Sequence, residues 1–273
     1  MPDWVDHVLD GIAWRERPGP GPVLVCLHGI GSRAFGWQAL AECLPGWRVI
    51  AWDAPGYGKS VPLTVDWPVA RDYAQALEGL TNVIGLTKFH LVGHSLGTLI
   101  GASYARNYPQ AAKSLTLTSC AQGGGVTPGA ALAAAHQARI NDLQEVGAEK
   151  FSEIRSPRLV YRPEANPALV AQVRAAMATV TLPGYAQAVR MLAAGDLTAD
   201  CAEISTGTAV VVGAEDIVTP PAQSERAFAA LKNPRGLTVV PGCGHALPLQ
   251  APLALAQIIR AQAETCADQG ATP

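Results

Sequence analysis

The sequence predicts an α/β fold built on a mostly parallel, doubly wound sheet. Three observations carry that prediction: short unbroken runs of β-branched and aliphatic residues recur along the chain, stretches of helical period separate them, and 49% of the 273 residues are hydrophobic against 15% charged. Runs that are apolar at every position belong to strands covered on both faces, and strand–helix alternation lays such strands parallel. A charged share well under the roughly 25% of ordinary domains excludes a disordered chain.

The elements follow in order. Residues 5–9 and 12–15 are strand-like and flank Asp10-Gly11, a dipeptide that tolerates the positive φ of a tight type I′ turn, so the chain opens with a β-hairpin. After the Pro/Gly-rich stretch 18–22 come buried-strand runs at 23–27, 48–52, 89–92, 115–118, 209–212 and 237–240. Helical stretches lie near 34–44, 69–86, 96–108, 221–231 and 253–263. The alternation stops over 122–205, where Ala-rich helical sequence follows Gly123-Gly124-Gly125. That is too long for a structureless loop. We therefore expect a core from 1–121 and 206–273, and an inserted helical cap, or lid, from 122–205.

Charge and cysteine usage exclude several functions. Lys plus Arg is 20 and Asp plus Glu is 22, a net charge of −2. No broad cationic surface remains for a nucleic acid or an anionic membrane. Cys26, Cys43, Cys120, Cys201, Cys243 and Cys266 are scattered singly, without a CxxC pair, which argues against a zinc site and against a disulfide framework. The N-terminal stretch lacks the apolar segment of a signal peptide, and no run reaches the ~18 apolar residues of a membrane span. Reduced thiols and a cytoplasmic location are the expectation.

Gly93-His94-Ser95-Leu96-Gly97 follows a predicted strand and opens a predicted helix. A serine on so sharp a turn presents its hydroxyl, and glycines flank it because side chains would clash there. The helix N-terminus behind it offers unpaired N–H groups where an oxyanion could form. A hydroxyl is a weak nucleophile and needs an oriented general base. Asp216 and His245 follow the last two predicted strands, and in a doubly wound sheet the carboxyl ends of strands converge. Glu215 is the rival acid. Among other histidines, His7 lies in the hairpin, His90 at a strand start and His136 in the cap, while His94 should point away from the Ser95 hydroxyl because neighbours on a strand face opposite ways. The loop His28-Gly29-Ile30-Gly31-Ser32 could aim the Ile30 N–H at a substrate oxygen beside the N–H of Leu96, an oxyanion hole of two donors.

Two decoys share this region. Gly29-x-Gly31-x-x-Ala34, with Asp53 ending the next strand, matches a loosened dinucleotide fingerprint; three hydrolase elements in order outweigh it. Gly58-Lys59-Ser60 ends like a phosphate-binding loop, but the first glycine of that motif would fall at Asp53.

As an ordered set, His28-Gly29, Asp53-x-Pro55-Gly56-x-Gly58-x-Ser60, Gly93-His94-Ser95-Leu96-Gly97, Gly213-x-x-Asp216-x-x-x-Pro220 and Gly242-Cys243-Gly244-His245 resemble the α/β-hydrolase superfamily from about residue 20 to 265. The resemblance implies an α/β-hydrolase fold with Ser95 as nucleophile, Asp216 as acid, His245 as base and Ile30 and Leu96 as oxyanion donors, with neither cofactor nor metal. Gly184-Tyr185-Ala186-x-Ala188 and Leu192-x-x-x-Asp196-Leu197 are similar to the cap of lactonases and carboxylesterases near 3-oxoadipate enol-lactonase. Two positions depart from relatives. Gln250 stands where many carry glutamate, and His94 stands where the carbon–carbon hydrolases usually show asparagine.

The expected function is a serine hydrolase of a small ester or lactone. Carbon–carbon bond hydrolysis, amide hydrolysis and a slow or non-catalytic receptor are the alternatives, because one scaffold hosts many chemistries. Arg139 and Arg190, both in predicted cap helices, are candidate partners for a substrate carboxylate, onto which a guanidinium can fork; solvated helix-face charges are the plainer reading of both.

Overall fold

Alternate residues of the central strands enter two separate cores. Val25, Leu27, Ile50, Trp52, Leu91 and Val210 belong to one, and Leu24, Cys26, Val49, Ala51, Val92 and Val211 to the other. Successive strand side chains face opposite ways, so a strand feeding two cores is apolar at most positions, and the buried polar exceptions, such as His90 and Ser114, bond each other at 2.8 Å. The computed structural model describes residues 3–270, so the outermost ends of the expected core lie outside the described residues.

Eight strands form one sheet: β1 (Val5–Leu9), β2 (Ile12–Arg17), β3 (Val23–Leu27), β4 (Arg48–Asp53), β5 (Phe89–His94), β6 (Ala112–Thr118), β7 (Thr208–Gly213) and β8 (Pro234–Val240). Their order is β1-β2-β4-β3-β5-β6-β7-β8, antiparallel at β1–β2 and β2–β4 and parallel elsewhere. Asp10 (φ 49°) and Gly11 (φ 77°) make the hairpin turn with the two positive φ values that type I′ demands.

Helices α1 (Gln38–Glu42), α2 (Ala70–Val83), α3 (Leu96–Asn107), α8 (Pro221–Ala230), α9 (Leu247–Gln250) and α10 (Pro252–Gly270) accompany the sheet. Leu77 of α2, Ile100 of α3 and Ala227 of α8 pack in the first core, and Leu40 of α1 and Leu255 and Ile259 of α10 in the second. Where one helix is expected over 34–44, a 3₁₀ turn at Ala34–Trp37 precedes α1; Gly36, a poor helix former, sits inside that turn.

Between β6 and β7 the described chain forms no ladder strand. It carries α4 (Ala134–Arg155, bent at Gly147), α5 (Pro167–Met177), α6 (Leu182–Ala194) and α7 (Leu197–Cys201), with 3₁₀ turns at Ser156–Leu159 and Pro163–Ala165. An isolated bridge joins Gly123 to Asp196 near the ends of this stretch, and α7 packs against α3 and α8.

The chain leaves β3 toward β4 and then returns past it to β5. The strand order therefore reverses between β3 and β5, and the loops at their carboxyl ends part to leave a crevice. Ile30 follows β3 and Ser95 follows β5.

Candidate active site

Ser95 links β5 to α3 at φ 52° and ψ −115°, a backbone conformation that costs a side-chain-bearing residue about 1–3 kcal/mol. The flanking glycines make the turn possible. A Cβ at Gly93 would lie 2.3 Å from the Gly97 carbonyl oxygen, and one at Gly97 would lie 2.2 Å from that of Leu27. Only hydrogen fits at either place.

Asp216 and His245, placed by the loops after β7 and β8, meet: His245 Nδ1 lies 2.8 Å from Asp216 Oδ2. Asp216 bends its own loop, its Oδ1 accepting the N–H groups of Val218 and Thr219 at 2.9 Å each. Burial alone would raise the Asp216 carboxyl; the hydrogen bond and charge of His245, with the two amides, outweigh it and hold the group down at about 2. It is thus an anion that keeps the imidazole in one tautomer.

Thr219 completes this cluster and was not foreseen from sequence. Its Oγ1 lies 3.0 Å from Asp216 Oδ2, 3.2 Å from His245 Nδ1 and 3.0 Å from the Ser119 carbonyl oxygen. The signal was there to read, because a hydroxyl residue three positions after an aspartate is what a side-chain-capped turn favours. Glu215, the rival acid, instead accepts the Cys243 N–H at 3.0 Å and belongs to the frame of the His245 loop.

Ser95, His245, Ile30 and Leu96 line one cavity of about 370 Å³. Among the described residues, neither the Ile30 nor the Leu96 N–H donates to another backbone group. The loop carrying Ile30 is fixed by His28, whose Nδ1 lies 2.9 Å from the Gly29 carbonyl oxygen and whose Nε2 accepts the Ala54 N–H at 3.0 Å. Burial holds His28 below its ordinary pKa, which suits an imidazole bonded through both nitrogens to main chain.

His94 stays out of that cavity, as strand alternation predicts, yet it is not remote. Its ring centroid lies 5.0 Å from that of His245 with the planes tilted by 47°, and its Nδ1 lies 3.0 Å from Thr118 Oγ1. Burial, reinforced by His245, holds it at about 3, a neutral ring behind His245.

Of the two arginines expected near the substrate, the structure brings only Arg139 to the cavity. Arg190 is a correction. Its Nη1 donates to the Asp66 carbonyl at 2.9 Å and its own carbonyl accepts from Trp67 Nε1 at 3.0 Å, so the residue ties α6 to the 66–67 segment. Arg158, Arg155 and His136 line the cavity instead, unforeseen.

The dinucleotide and phosphate-loop decoys dissolve into structure. Asp53 Oδ1 accepts the Ala34 N–H at 2.7 Å, and Ser60 Oγ donates to the Asp53 carbonyl while accepting the Ala13 N–H at 2.8 Å. Among the described residues, no group of three or more His, Cys, Asp or Glu could hold a metal ion, all six cysteines are free, and no helix is long and apolar enough to cross a membrane.

The family model described as alpha/beta hydrolase family matches residues 24–258. The chain belongs to the alpha/beta hydrolase family. Among its relatives, a putative carbamate hydrolase, RutD, of Klebsiella pneumoniae is 30% identical over 237 residues, 84% of this chain and 86% of that one. The 2-hydroxy-6-oxononadienedioate/2-hydroxy-6-oxononatrienedioate hydrolase of Comamonas testosteroni is 35% identical over 104 residues, 36% of either chain. A thermophilic esterase from Thermogutta terrifontis, solved with malate bound, superposes on this hydrolase-family chain with a TM-score of 0.82 at 25% identity, covering 97% of this chain and 99% of the other. The enol-lactonase from Burkholderia xenovorans LB400 superposes with the same score at 18% identity over 95% and 100%, a likeness of fold alone.

Proposed function

We propose that this alpha/beta hydrolase cleaves a small carboxylic ester or lactone through an acyl-enzyme on Ser95, in the cytoplasm. The observation that carries the reading is a serine at φ 52° opening onto the same cavity as a histidine whose far nitrogen is hydrogen-bonded to a buried carboxylate. Ser95 Oγ attacks the carbonyl carbon while His245 Nε2 takes its proton. The N–H groups of Ile30 and Leu96 receive the oxyanion, and His245 returns the proton to the leaving oxygen. Water, deprotonated by the same nitrogen, then frees the acid. Each oxyanion donor is worth about 3–4 kcal/mol of transition-state stabilisation in such sites. The 122–205 helices act as the lid, since α4, α5 and α6 contribute His136, Met177 and Tyr185 to the cavity wall.

The resemblance to a carbamate hydrolase favours a second reading, attack on a carbamate or amide by the same three residues. A substrate panel separates the two. Labelling by a fluorophosphonate and hydrolysis of p-nitrophenyl acetate, both abolished in Ser95→Ala, are expected. A folded protein showing neither signal is a receptor and the enzyme reading fails.

A further inference from the structure

We propose that the substrate of this site carries a carboxylate, gripped by Arg139 and Arg158 on the helical side of the cavity, and a small apolar group on the other side of His245. The proposal rests on the hydrolase reading above and adds its substrate class.

The helical wall of the cavity is cationic. Arg139 and Arg155 come from α4 and Arg158 from the 3₁₀ turn that follows it, while none of the described lining residues is Asp or Glu. Arg155 is already neutralised, with Nη2 2.9 Å from Asp142 Oδ2 and its guanidinium stacked 4.6 Å over the Phe151 ring. Arg139 and Arg158 form no ion pair and no side-chain hydrogen bond among the described residues. Arg139 is half-buried. Two like charges facing one cavity repel each other, and a partly buried guanidinium without a partner pays for lost hydration. An anion between them relieves both costs, and the planar carboxylate matches the guanidinium fork.

His136 stands on the same wall with its Nδ1 buried and unpartnered, a third atom able to bond the ligand. Burial first, and the Arg139 charge second, hold His136 below its ordinary range.

The opposite side differs in chemistry. His245 also borders a smaller pocket of about 60 Å³, where Phe35, Trp37, Val173, Pro248 and Leu249 stand beside the uncharged His28, His94, Ser32 and Gln172 and, among the described residues, no arginine or lysine is present. A substrate with its scissile carbonyl at Ser95 in the larger cavity reaches both chambers past His245, with a charged end on the arginine side and a short alkyl end in the smaller pocket. Half-esters of small dicarboxylic acids have that form.

Ser95→Ala protein binds without turnover, so calorimetric titration with monomethyl adipate and with dimethyl adipate isolates recognition. The two ligands differ by one methyl group on the distal carboxylate. The half-ester is expected to bind at least tenfold more tightly, and the gap is expected to close when Arg139→Gln and Arg158→Gln are added. Equal affinities, no binding of either ligand, or a gap that survives both substitutions would overturn the proposal. If the combined variant melts early, Arg158→Gln alone, on an exposed turn, is expected to narrow the gap at least threefold; an unchanged gap overturns the proposal equally. Fluorophosphonate labelling of the unsubstituted chain tests the hydrolase reading separately. Label without a gap removes only the carboxylate, and a gap without label removes only the acyl-enzyme.

Discussion

Thr219 Oγ1 lies 3.0 Å from Asp216 Oδ2, the same oxygen that faces His245 Nδ1 at 2.8 Å. A hydroxyl has one proton, so Thr219 donates to Asp216 or to the Ser119 carbonyl, and in either case its oxygen crowds the imidazole N–H toward the carboxylate. Thr219→Val keeps the shape and removes the oxygen. We expect kcat to fall by about tenfold to a hundredfold with KM little changed, in line with the ~1.5–3 kcal/mol of a hydrogen bond to a charged group. Thr219→Ser should recover most of it. Equal kcat values in Val and wild type would show the hydroxyl to be idle.

The backbone at Ser95 stores strain that a glycine would release. Ser95→Gly and Ser95→Ala should both be inactive, but the glycine variant should be the more stable by about 1 kcal/mol, since glycine alone adopts φ 52° without penalty. Thermal melts of the pair decide this. An alanine variant as stable as the glycine one would mean that the turn is unstrained.

Acid should loosen the fold in two stages. Burial, helped by the Lys113 charge, holds His90 at about 4, and burial with His245 holds His94 at about 3. Both folded values lie below the ~6.5 of an unfolded histidine, so the unfolded chain takes up protons first. The stability they confer is complete above pH ~6.5 and drains away toward pH 4 and then 3. Asp216, held at about 2, adds a loss between pH ~4 and 2. Urea titrations at pH 7.5, 5.5 and 4.5 should show the loss, on the order of 2 kcal/mol from each of His90 and His94, and His90→Gln should remove about half of it. A midpoint constant across that range contradicts the assignment.

Gln250 joins two loops that the chain order keeps apart. Its Oε1 accepts the Tyr161 N–H at 2.9 Å and the Gly244 N–H at 3.0 Å, and its Nε2 donates to the Tyr161 carbonyl at 3.3 Å. Gln250→Ala should cost about 2 kcal/mol of stability and slow turnover, because Gly244 precedes the histidine. Gln250→Glu retains both acceptances and loses only the donation, so it should fall in between. A glutamate variant worse than alanine would show that charge, not lost bonding, dominates there.

What could be read from sequence follows the physics of each element. Val23–Leu27 and the run 209–212 within β7 announce themselves because a strand buried on both faces favours apolar residues at successive positions. The Ser95 turn is equally legible, since backbone sterics leave no residue but glycine at 93 and 97. Arg139 and Arg190 look alike in sequence, both on helices of the 122–205 stretch. Which of them meets the cavity depends on Asp66 and Trp67, far away in the chain, and helical period does not carry that. Arg158 sits on a 3₁₀ turn after Pro157, outside any periodic pattern. Strand alternation placed His94 on the correct face without revealing that His245 arrives against it from β8.

The approach of Gly97 to the Leu27 carbonyl has a consequence for how such a site can change. Ser95, Leu96 and Ile30 are positioned by main chain pressed on main chain, so their spacing does not depend on which side chains roof the cavity. Residues such as His136, Arg139, Met177 and Tyr185 hang from helices that take no part in that contact. New specificities can therefore be tried by replacing the roof, one residue or one helix at a time, while the main-chain frame that sets Ser95, Leu96 and Ile30 beneath keeps its tolerances.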